Sequence, residues 1–283
     1  MKNIRKFETT AAMDAATLED VSINYNVETG GMLSMPLKPN VKNYMRFVAI
    51  EDSQINLTSI NPHTGEADTS VDLKHSKDGL SWTQYDFNPI PLAAGETLYL
   101  KGNNENGFSY PNNEPRICIF GDLSDGGIQN TPSSGKFECH GNIMSLLYGD
   151  DLEGKTTIPS VGCFYGLFFG CTSLTTAPEL PATTLADYCY QNMFTRCTSL
   201  TTAPEQPATT LPDCCYQYMF EGCTILNHIT MLATDKTSYS LHDWVSGVSS
   251  TGTFVKHPDM DTLPTGQHGI PEGWTVVDYD FKN

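Results

Sequence analysis

A mainly β protein of several domains is expected from three features of this 283-residue chain. Cys163, Cys189 and Cys215 are spaced by 26 residues, and Cys171–Asp187 recurs at Cys197–Asp213 with 15 of 17 positions identical. A fixed period of about 20–50 residues is typical of stacked solenoids. Only 17% of the residues are charged and many are turn formers, which suits short strands better than surface helices. Upstream of the repeat, short alternating segments lie between turn clusters.

Residues 1–36 are predicted to form a small α+β module that anchors or docks the protein. Ile4–Phe7 and the alternating Val21–Val27 are candidate strands, followed after a turn by Met32–Met35. Ala11–Leu18, rich in Ala, is a candidate helix. A segment of this size buries too little surface for a core of its own, so it should dock on a partner or on its own copies.

Residues 43–140 are predicted to form a β-sandwich, because short strands recur between clusters of turn residues. The Ser76–Gly79 turn indicates a hairpin. Trp82 is expected to pack within the sandwich, and stacking on a sugar is the alternative role for this residue. The candidate strands are Arg46–Ile50, Ile55–Thr58, Val71–His75, Leu80–Tyr85, Glu96–Lys101, Arg116–Phe120 and Lys136–His140.

Residues 141–236 are predicted to form the solenoid with its entry cap, and residues 237–283 its C-terminal cap. Counted from the first cysteine of each copy, apolar residues stand at offsets 0, 1, 4, 5 and 8. These positions form one face of about two helical turns. A short extended stretch follows and ends at Pro178 or Pro204. Each coil should therefore be a short helix plus a short strand, and neighbouring coils must stack to bury their apolar faces.

The repeat places one set of side chains in a common core, and six of them are cysteines. Equivalent positions on coils about 4.8 Å apart are too distant for a disulfide, and Cys is often buried as a free thiol. The cysteine spacing also does not match the close pairs of structural zinc sites. Free buried thiols are therefore expected, with no metal and no cofactor. The predicted core residues are Cys163, Leu167, Phe168, Cys171, Leu174, Cys189, Met193, Phe194, Cys197, Leu200, Cys215, Met219, Phe220, Cys223 and Leu226.

Positions that vary between the copies are the candidate binding surface, because the repeated frame does not require them. They should lie on the outer side of the short helices. The strand segments offer a second face, with Thr175–Thr176, Thr201–Thr202 and Asn227–His228, and either face could bind a ligand. Solvated filler is the alternative for any single residue of either face. No catalytic residue is predicted. The candidate surface residues are Tyr165, Phe169, Gln191, Asn192, Arg196, Gln217, Tyr218 and Glu221.

The formal net charge of −17, from 33 acidic and 16 basic residues, disfavours nucleic acids and anionic membranes as partners. The chain has no apolar stretch of about 18 residues, so no membrane insertion is predicted. Its opening segment lacks the apolar core of a secretory signal. The acidic side chains are expected to keep a secreted or particle-borne surface soluble.

The motif MFxxCTxLTxAPxLPATTL resembles the BspA-like leucine-rich repeat over about residues 163–236. Trp244–Val248, Gly252–Phe254 and Gly269–Trp274 resemble the closing segment of such proteins from gut anaerobic bacteria and their phages. Gly141–Thr157 resembles the segment that precedes these repeats. The resemblance implies a surface protein whose activity is adhesion to host or matrix.

Residues 1–30 are similar to short N-terminal modules of structural proteins in gut phages. This second resemblance implies a non-enzymatic virion structural or decoration protein, head- or tail-fibre-like, on the virion surface. Its partners would be other virion proteins, bound through the N-terminal module, and a glycan or protein receptor on a bacterial or mucosal surface. A homo-oligomer, such as a trimer, is expected. The alternative is a bacterial BspA-like cell-surface adhesin whose export signal is absent or removed.

An enzyme that cleaves glycans is the third hypothesis. Such sites need two carboxylates about 5–10 Å apart. Asp150, Asp151 and Glu153 are clustered on a predicted loop, where weak Ca²⁺ binding is an equal alternative.

Overall fold

The computed structural model describes residues 41–61, 64–108, 117–124, 128–260 and 263–281, together with three short strands nearer the N-terminus. The structure is mainly β. Within the described residues, helix is limited to Ser145–Tyr148 (α1) and the 3-10 turn Gly149–Asp151. None of these residues forms a helix with the length and apolar character that crossing a membrane requires. The chain divides into two compact units, Met1–Lys42 and Asn43–Asn283.

The first unit contains a three-stranded sheet of β1 (Arg5–Phe7), β2 (Asn24–Asn26) and β3 (Met32–Leu33). β1 pairs with β2 in parallel, and β2 pairs with β3 in antiparallel orientation. All three strands fall within predicted strand segments. The predicted helix at Ala11–Leu18 lies outside the described residues.

The second unit begins with a sheet whose central strands alternate between buried and half-exposed residues, as expected for a sheet with one face on a core. Six strands align in the order β13–β12–β4–β10–β7–β8, and β5–β9 and β6–β11 form separate pairs. The strands are β4 (Met45–Ala49), β5 (Ser53–Ile55), β6 (Thr58–Ile60), β7 (Lys74–Ser76), β8 (Thr83–Gln84), β9 (Ile90–Leu92), β10 (Thr97–Lys101), β11 (Ile117–Ile119), β12 (Phe137–His140) and β13 (Leu174–Thr176).

The predicted hairpin is present as the antiparallel pair β7–β8. The structure differs from the predicted strands in several places. The predicted strands Val71–His75 and Leu80–Tyr85 are represented by the shorter β7 and β8, the segment predicted as Ile55–Thr58 is divided between β5 and β6, and β9, which contains Pro91, is additional. Proline is compatible with β9 because this strand pairs with β5 alone, at an edge.

The sheet and the repeat share one apolar core. β12 pairs with β4 on one side and with β13, which belongs to the first repeat copy, on the other. The ring of Phe47 lies 5.0 Å from that of Phe120, 5.4 Å from Phe137 and 6.4 Å from Phe168, measured between centroids. The first copy therefore continues the core of the sheet.

The repeat copies, here called coils 1, 2 and 3 and beginning at Cys163, Cys189 and Cys215, do not contain the predicted short helix. Residues 161–170 and their equivalents form consecutive turns instead. Every fourth residue has a left-handed backbone, as at Asn192 (φ 58°) and Arg196 (φ 61°), and such residues cannot continue an α-helix. The prediction of a helix was therefore wrong.

Hydrogen bonds between coils replace those of the predicted helix. Alternate backbone N–H groups donate to the next coil, for example Phe168 to the carbonyl of Met193 at 2.9 Å and Phe194 to that of Met219 at 2.9 Å. The intervening N–H groups close turns within their own coil, as Met193 does on the carbonyl of Tyr190 at 3.1 Å. Each coil thus depends on its neighbours for half of its turn hydrogen bonds.

A fourth coil follows where the sequence predicted a cap. Tyr216 donates to the carbonyl of Ser240 at 3.0 Å, and Phe220 donates to that of Trp244 at 2.8 Å, which repeats the bonding between coils 1 and 2. Coil 4 therefore begins at Ser240. The remaining strands also stack in parallel, as β15–β17–β18 and β14–β16. They are β14 (Thr210–Leu211), β15 (His228–Met231), β16 (Asp235–Lys236), β17 (Thr253–Lys256) and β18 (Thr275–Asp278).

Two ladders of aromatic rings run through the coils. In one, Phe120, Phe168, Phe194, Phe220 and Trp244 follow each other at centroid separations of 5.4, 5.4, 5.7 and 6.1 Å. In the other, the rings are Phe164, Tyr190, Tyr216 and Trp244, at 5.9, 6.1 and 6.5 Å. Both ladders end on Trp244. The fifteen core residues named from the sequence are all no more than 1% exposed.

Candidate binding surface on the turn face

The side chains that point outward from the stacked turns form a continuous strip, here called the turn face: Tyr165, Gln191, Gln217 and His242 in one row, and Asn192, Tyr218 and Asp243 in the next. Neighbouring coils are linked along it, because Gln191 Nε2 donates to Gln217 Oε1 and Asn192 Nδ2 donates to the Tyr165 hydroxyl at 3.3 Å. These contacts fix polar groups on a rigid backbone, as specific ligand recognition requires.

The eight predicted surface residues all lie outside the core. Arg196 is exposed and the other seven are half-buried: Tyr165, Phe169, Gln191, Asn192, Gln217, Tyr218 and Glu221. At three of these positions the variation in residue type between the coils has a second cause, which the sequence interpretation did not include. Asn192, Arg196 and Tyr218 occupy left-handed positions where coil 1 has glycine, so backbone conformation also restricts these sites.

A cleft of about 330 Å³ opens on the turn face between coils 1 and 2, lined by Val161, Gly162, Tyr165, Tyr188 and Gln191. Tyr188 is 38% exposed. The neighbouring Cys214 raises the pKa of Tyr188 above its ordinary value. The repeat pattern does not indicate Tyr188, because this residue precedes the first cysteine of its coil and lies outside the nine-residue frame in which the variable positions occur.

A second concavity, of about 210 Å³, lies on the segments that return from one coil to the next. Its walls are mainly proline, and Glu179 and Glu205 stand beside them. Both carboxylates have partners, since Asn43 Nδ2 donates to Glu179 at 2.8 Å and the Tyr279 hydroxyl to Glu205 at 3.4 Å. The residues that line this second concavity are Ala177, Pro178, Glu179, Leu180, Pro181, Pro204, Glu205 and Pro207.

The nine cysteines are free and buried. Burial raises the pKa of the Cys163, Cys171 and Cys223 thiols to about 12, because the thiolate would lose its hydration. The Cys197 and Cys223 thiols instead contact the carbonyls of Phe168 and Phe194, at 3.1 and 3.0 Å. These groups are packing elements, since the nucleophilic form of cysteine is the thiolate.

Native protein at pH 8 is accordingly expected to react very slowly with a thiol reagent such as dithionitrobenzoate. Both burial and the raised pKa values reduce the reactive thiolate, and the reaction of all nine cysteines should appear on unfolding in guanidinium. Absorbance of the released thionitrobenzoate measures both phases. Rapid titration of several thiols in the folded protein would contradict this assignment.

One member of the acidic cluster considered for catalysis, Asp150, is engaged by other side chains. Asp150 accepts from Lys101 Nζ at 2.8 and 3.0 Å and from the Tyr44 hydroxyl at 2.5 Å. Trp82 packs on the same group: Lys101 Nζ lies 4.2 Å from the centroid of its ring, and the Tyr44 ring meets it edge-on at 4.9 Å. Trp82 is half-buried in this cluster. Asp151 and Glu153 are exposed.

Potential metal ligands converge at one place among the described residues, where His242 and Asp243 of coil 4 meet His268. The side-chain relative exposures of the three are 36, 22 and 50%. No motif in the sequence indicates this cluster, because Asp243 and His268 are 25 residues apart.

No protein-family model, curated protein or solved structure matches the chain. Its function is therefore inferred from the chemistry of its own surfaces. The cleft on the turn face combines aromatic walls with a few fixed polar groups, which is the usual composition of a ligand site.

Proposed function

We propose that the protein is a non-enzymatic virion structural or decoration protein, head- or tail-fibre-like, that displays a binding domain for glycans, mucus or the host cell surface. In this proposal the sheet region is a β-sandwich, and coils 1–4 form a BspA-like leucine-rich-repeat solenoid with caps. The N-terminal unit anchors the protein to other virion proteins. The repeat motif and the opening residues support this assignment through their resemblances.

The cleft between coils 1 and 2 is the observation that carries the binding proposal. Tyr165 and Tyr188 line it with aromatic rings that have hydroxyl groups at their tips, and Gln191 adds an amide. Such amphipathic rings provide flat contact area and hydrogen bonds with little loss of conformational entropy. This composition suits the face of a sugar ring, whose C–H groups contact aromatic carbon while its hydroxyls bond to polar groups.

The charge of the chain narrows the ligand class. With a formal net charge of −17, the protein repels anionic ligands over a distance of about 10 Å at moderate ionic strength. We therefore propose neutral glycans over sulfated or sialylated ones.

Two observations support a role without catalysis. The cysteines are buried, and those with resolved pKa shifts have raised pKa values. Asp150 belongs to the acidic cluster considered for glycan cleavage, and its carboxylate accepts hydrogen bonds from Lys101 and Tyr44. These contacts favour a packing role for Asp150 in the entry region. Adhesion therefore fits the chemistry of the surface better than hydrolysis does.

Full-length protein is expected to bind neutral mucin glycans or bacterial surface polysaccharide. Tyr165→Ala and Tyr188→Ala should each weaken this binding about ten-fold or more, because losing a central contact costs about 1.4 kcal/mol of binding free energy. Calorimetry or a glycan array provides the measurement. Tyr239→Ala is the matched control, since Tyr239 is 59% exposed and precedes coil 4 as Tyr188 precedes coil 2.

Unchanged binding in both cleft variants, or equal loss in the control, would rule out the cleft as the site.

Mass spectrometry of purified phage particles tests whether the protein is located on the virion. Presence in the particle supports the virion assignment, whereas recovery from a bacterial envelope alone would favour the bacterial adhesin.

A further inference from the structure

We infer that His242, Asp243 and His268 form a binding site for a divalent transition-metal cation such as Zn²⁺ at the C-terminal end of the stacked coils. One potential ligand atom from each residue lies within 4.8 Å of the other two. The first two residues belong to the turn of coil 4, and the third belongs to the segment that closes over it. This site is independent of the glycan cleft and was not expected from the sequence, which predicted no metal.

The distances among the three side chains suit a single ion. His242 Nδ1 is 3.2 Å from Asp243 Oδ2, and His268 Nδ1 is 3.5 Å from Asp243 Oδ1. Bonds from zinc to nitrogen or oxygen measure about 2.0–2.2 Å, so two ligands of one tetrahedral ion lie roughly 3.3–3.6 Å apart. Each histidine is thus near ligand spacing to one oxygen of Asp243, while the three potential ligand atoms together lie only within 4.8 Å of one another, so the imidazole rings must move closer to bind one ion.

The two imidazole rings present suitable nitrogen atoms. His242 Nδ1 is a buried atom that lies close to Asp243 Oδ2 but makes no hydrogen bond of suitable geometry among the described residues, although buried polar atoms are nearly always hydrogen-bonded. His268 Nδ1 accepts the backbone N–H of Asp243 at 2.9 Å, so this nitrogen is unprotonated and its lone pair is engaged by that N–H beside the Asp243 carboxylate. An ion would compete with that N–H for the lone pair, and we therefore expect micromolar affinity.

The ligand types select the class of metal. Two imidazoles with one carboxylate favour Zn²⁺, Cu²⁺ or Ni²⁺, whereas Ca²⁺ and Mg²⁺ require sets of oxygen ligands. The partial exposure of all three side chains leaves room for water as a fourth ligand.

Binding would tie the closing segment to coil 4. That segment is already attached through Trp244 Nε1, which donates to the carbonyl of Gly269 at 2.8 Å, one residue beyond His268. A metal that binds only the folded protein raises the free energy of unfolding with the logarithm of the free metal concentration, so Zn²⁺ should raise the Tm.

The test uses full-length, reduced protein freed of metal by a chelator and titrated with ZnCl₂ in a calorimeter, with CaCl₂ as a comparison. We expect one Zn²⁺ per chain, no Ca²⁺ binding, and affinities weakened roughly 10–100-fold or more in His242→Ala and His268→Ala. CoCl₂ should give a visible spectrum without a thiolate-to-cobalt charge-transfer band, because the cysteines are buried.

His257→Ala is the control variant. His257 Nδ1 likewise accepts a backbone N–H, from Asp259 at 3.0 Å, but its ring contacts Phe281 in place of a second histidine. Zinc affinity should be unchanged in it. The proposal is overturned if wild-type protein takes up no zinc at submillimolar concentration, if both cluster variants bind as tightly as wild type, or if cobalt shows thiolate ligation. Unfolding curves without metal confirm that each variant is folded.

Discussion

Replacing Phe194 with alanine is expected to lower the free energy of unfolding by about 3–5 kcal/mol, the range for removal of a buried aromatic ring. Phe194 is fully buried at the middle of an aromatic ladder. Its ring stacks on Phe168 at 5.4 Å and on Phe220 at 5.7 Å, at interplanar angles of 8° and 4°. The cavity would be bounded by coils that inter-coil hydrogen bonds hold in place, so it cannot collapse easily.

Guanidinium denaturation followed by circular dichroism measures the effect. Ile225→Ala is the control, because Ile225 is 45% exposed in the next coil and its loss should change stability by about 0.5 kcal/mol or less. Because Phe194 and Phe220 stack on each other, either single change already removes their contact, so the Phe194→Ala, Phe220→Ala double variant should cost less than the sum of the two single changes. Equal midpoints for Phe194→Ala and Ile225→Ala would show that the ladder does not support the stack.

The sequence predicted the inward-facing residues of the repeat but not its backbone. A helix and a chain of four-residue turns both return positions four apart to the same side, so the apolar pattern is compatible with either structure. The distinguishing signal was the glycine series Gly162, Gly166 and Gly170, since all three have positive φ. Glycines four residues apart, aligned with Asn192 and Arg196 in coil 2, indicate repeated left-handed turns.

The candidate surface was predicted only in part, for a geometric reason. Outward positions such as Gln191 and Gln217 follow from the repeat itself. The cleft at Tyr188 and the cluster at His268 depend on how far apart neighbouring coils lie and on where the closing segment crosses coil 4. Sequence spacing alone does not determine those distances.

Coil 4 was missed because its residues depart from the repeat motif. Ser240 stands where the other coils have cysteine, and Trp244 stands where they have Leu167, Met193 and Met219. The hydrogen bonds nevertheless continue, and the larger indole fills the space in which both aromatic ladders end. A tryptophan at this position therefore closes the stack.

Trp244→Ala is accordingly expected to destabilise the protein by at least as much as Phe194→Ala, about 3–5 kcal/mol from ring removal. The indole is fully buried, contacts Tyr216, Phe220 and Phe254, and donates from Nε1 to the carbonyl of Gly269 at 2.8 Å. Its loss also leaves that carbonyl without its partner, which costs about 1–3 kcal/mol if the carbonyl stays buried.

Trp244→Phe separates the two contributions, because it keeps a ring on the ladders and removes only the N–H donor and part of the volume. The expected order of stability is wild type, then Trp244→Phe, then Trp244→Ala. Native-state hydrogen exchange locates the damage: amides that bond coil 3 to coil 4, such as that of Phe220, should lose more protection than those joining coils 1 and 2. Uniform loss of protection would instead mean that the coils unfold as one unit with the sheet. If Trp244→Ala were as stable to denaturation as Tyr239→Ala, the indole would not close the stack.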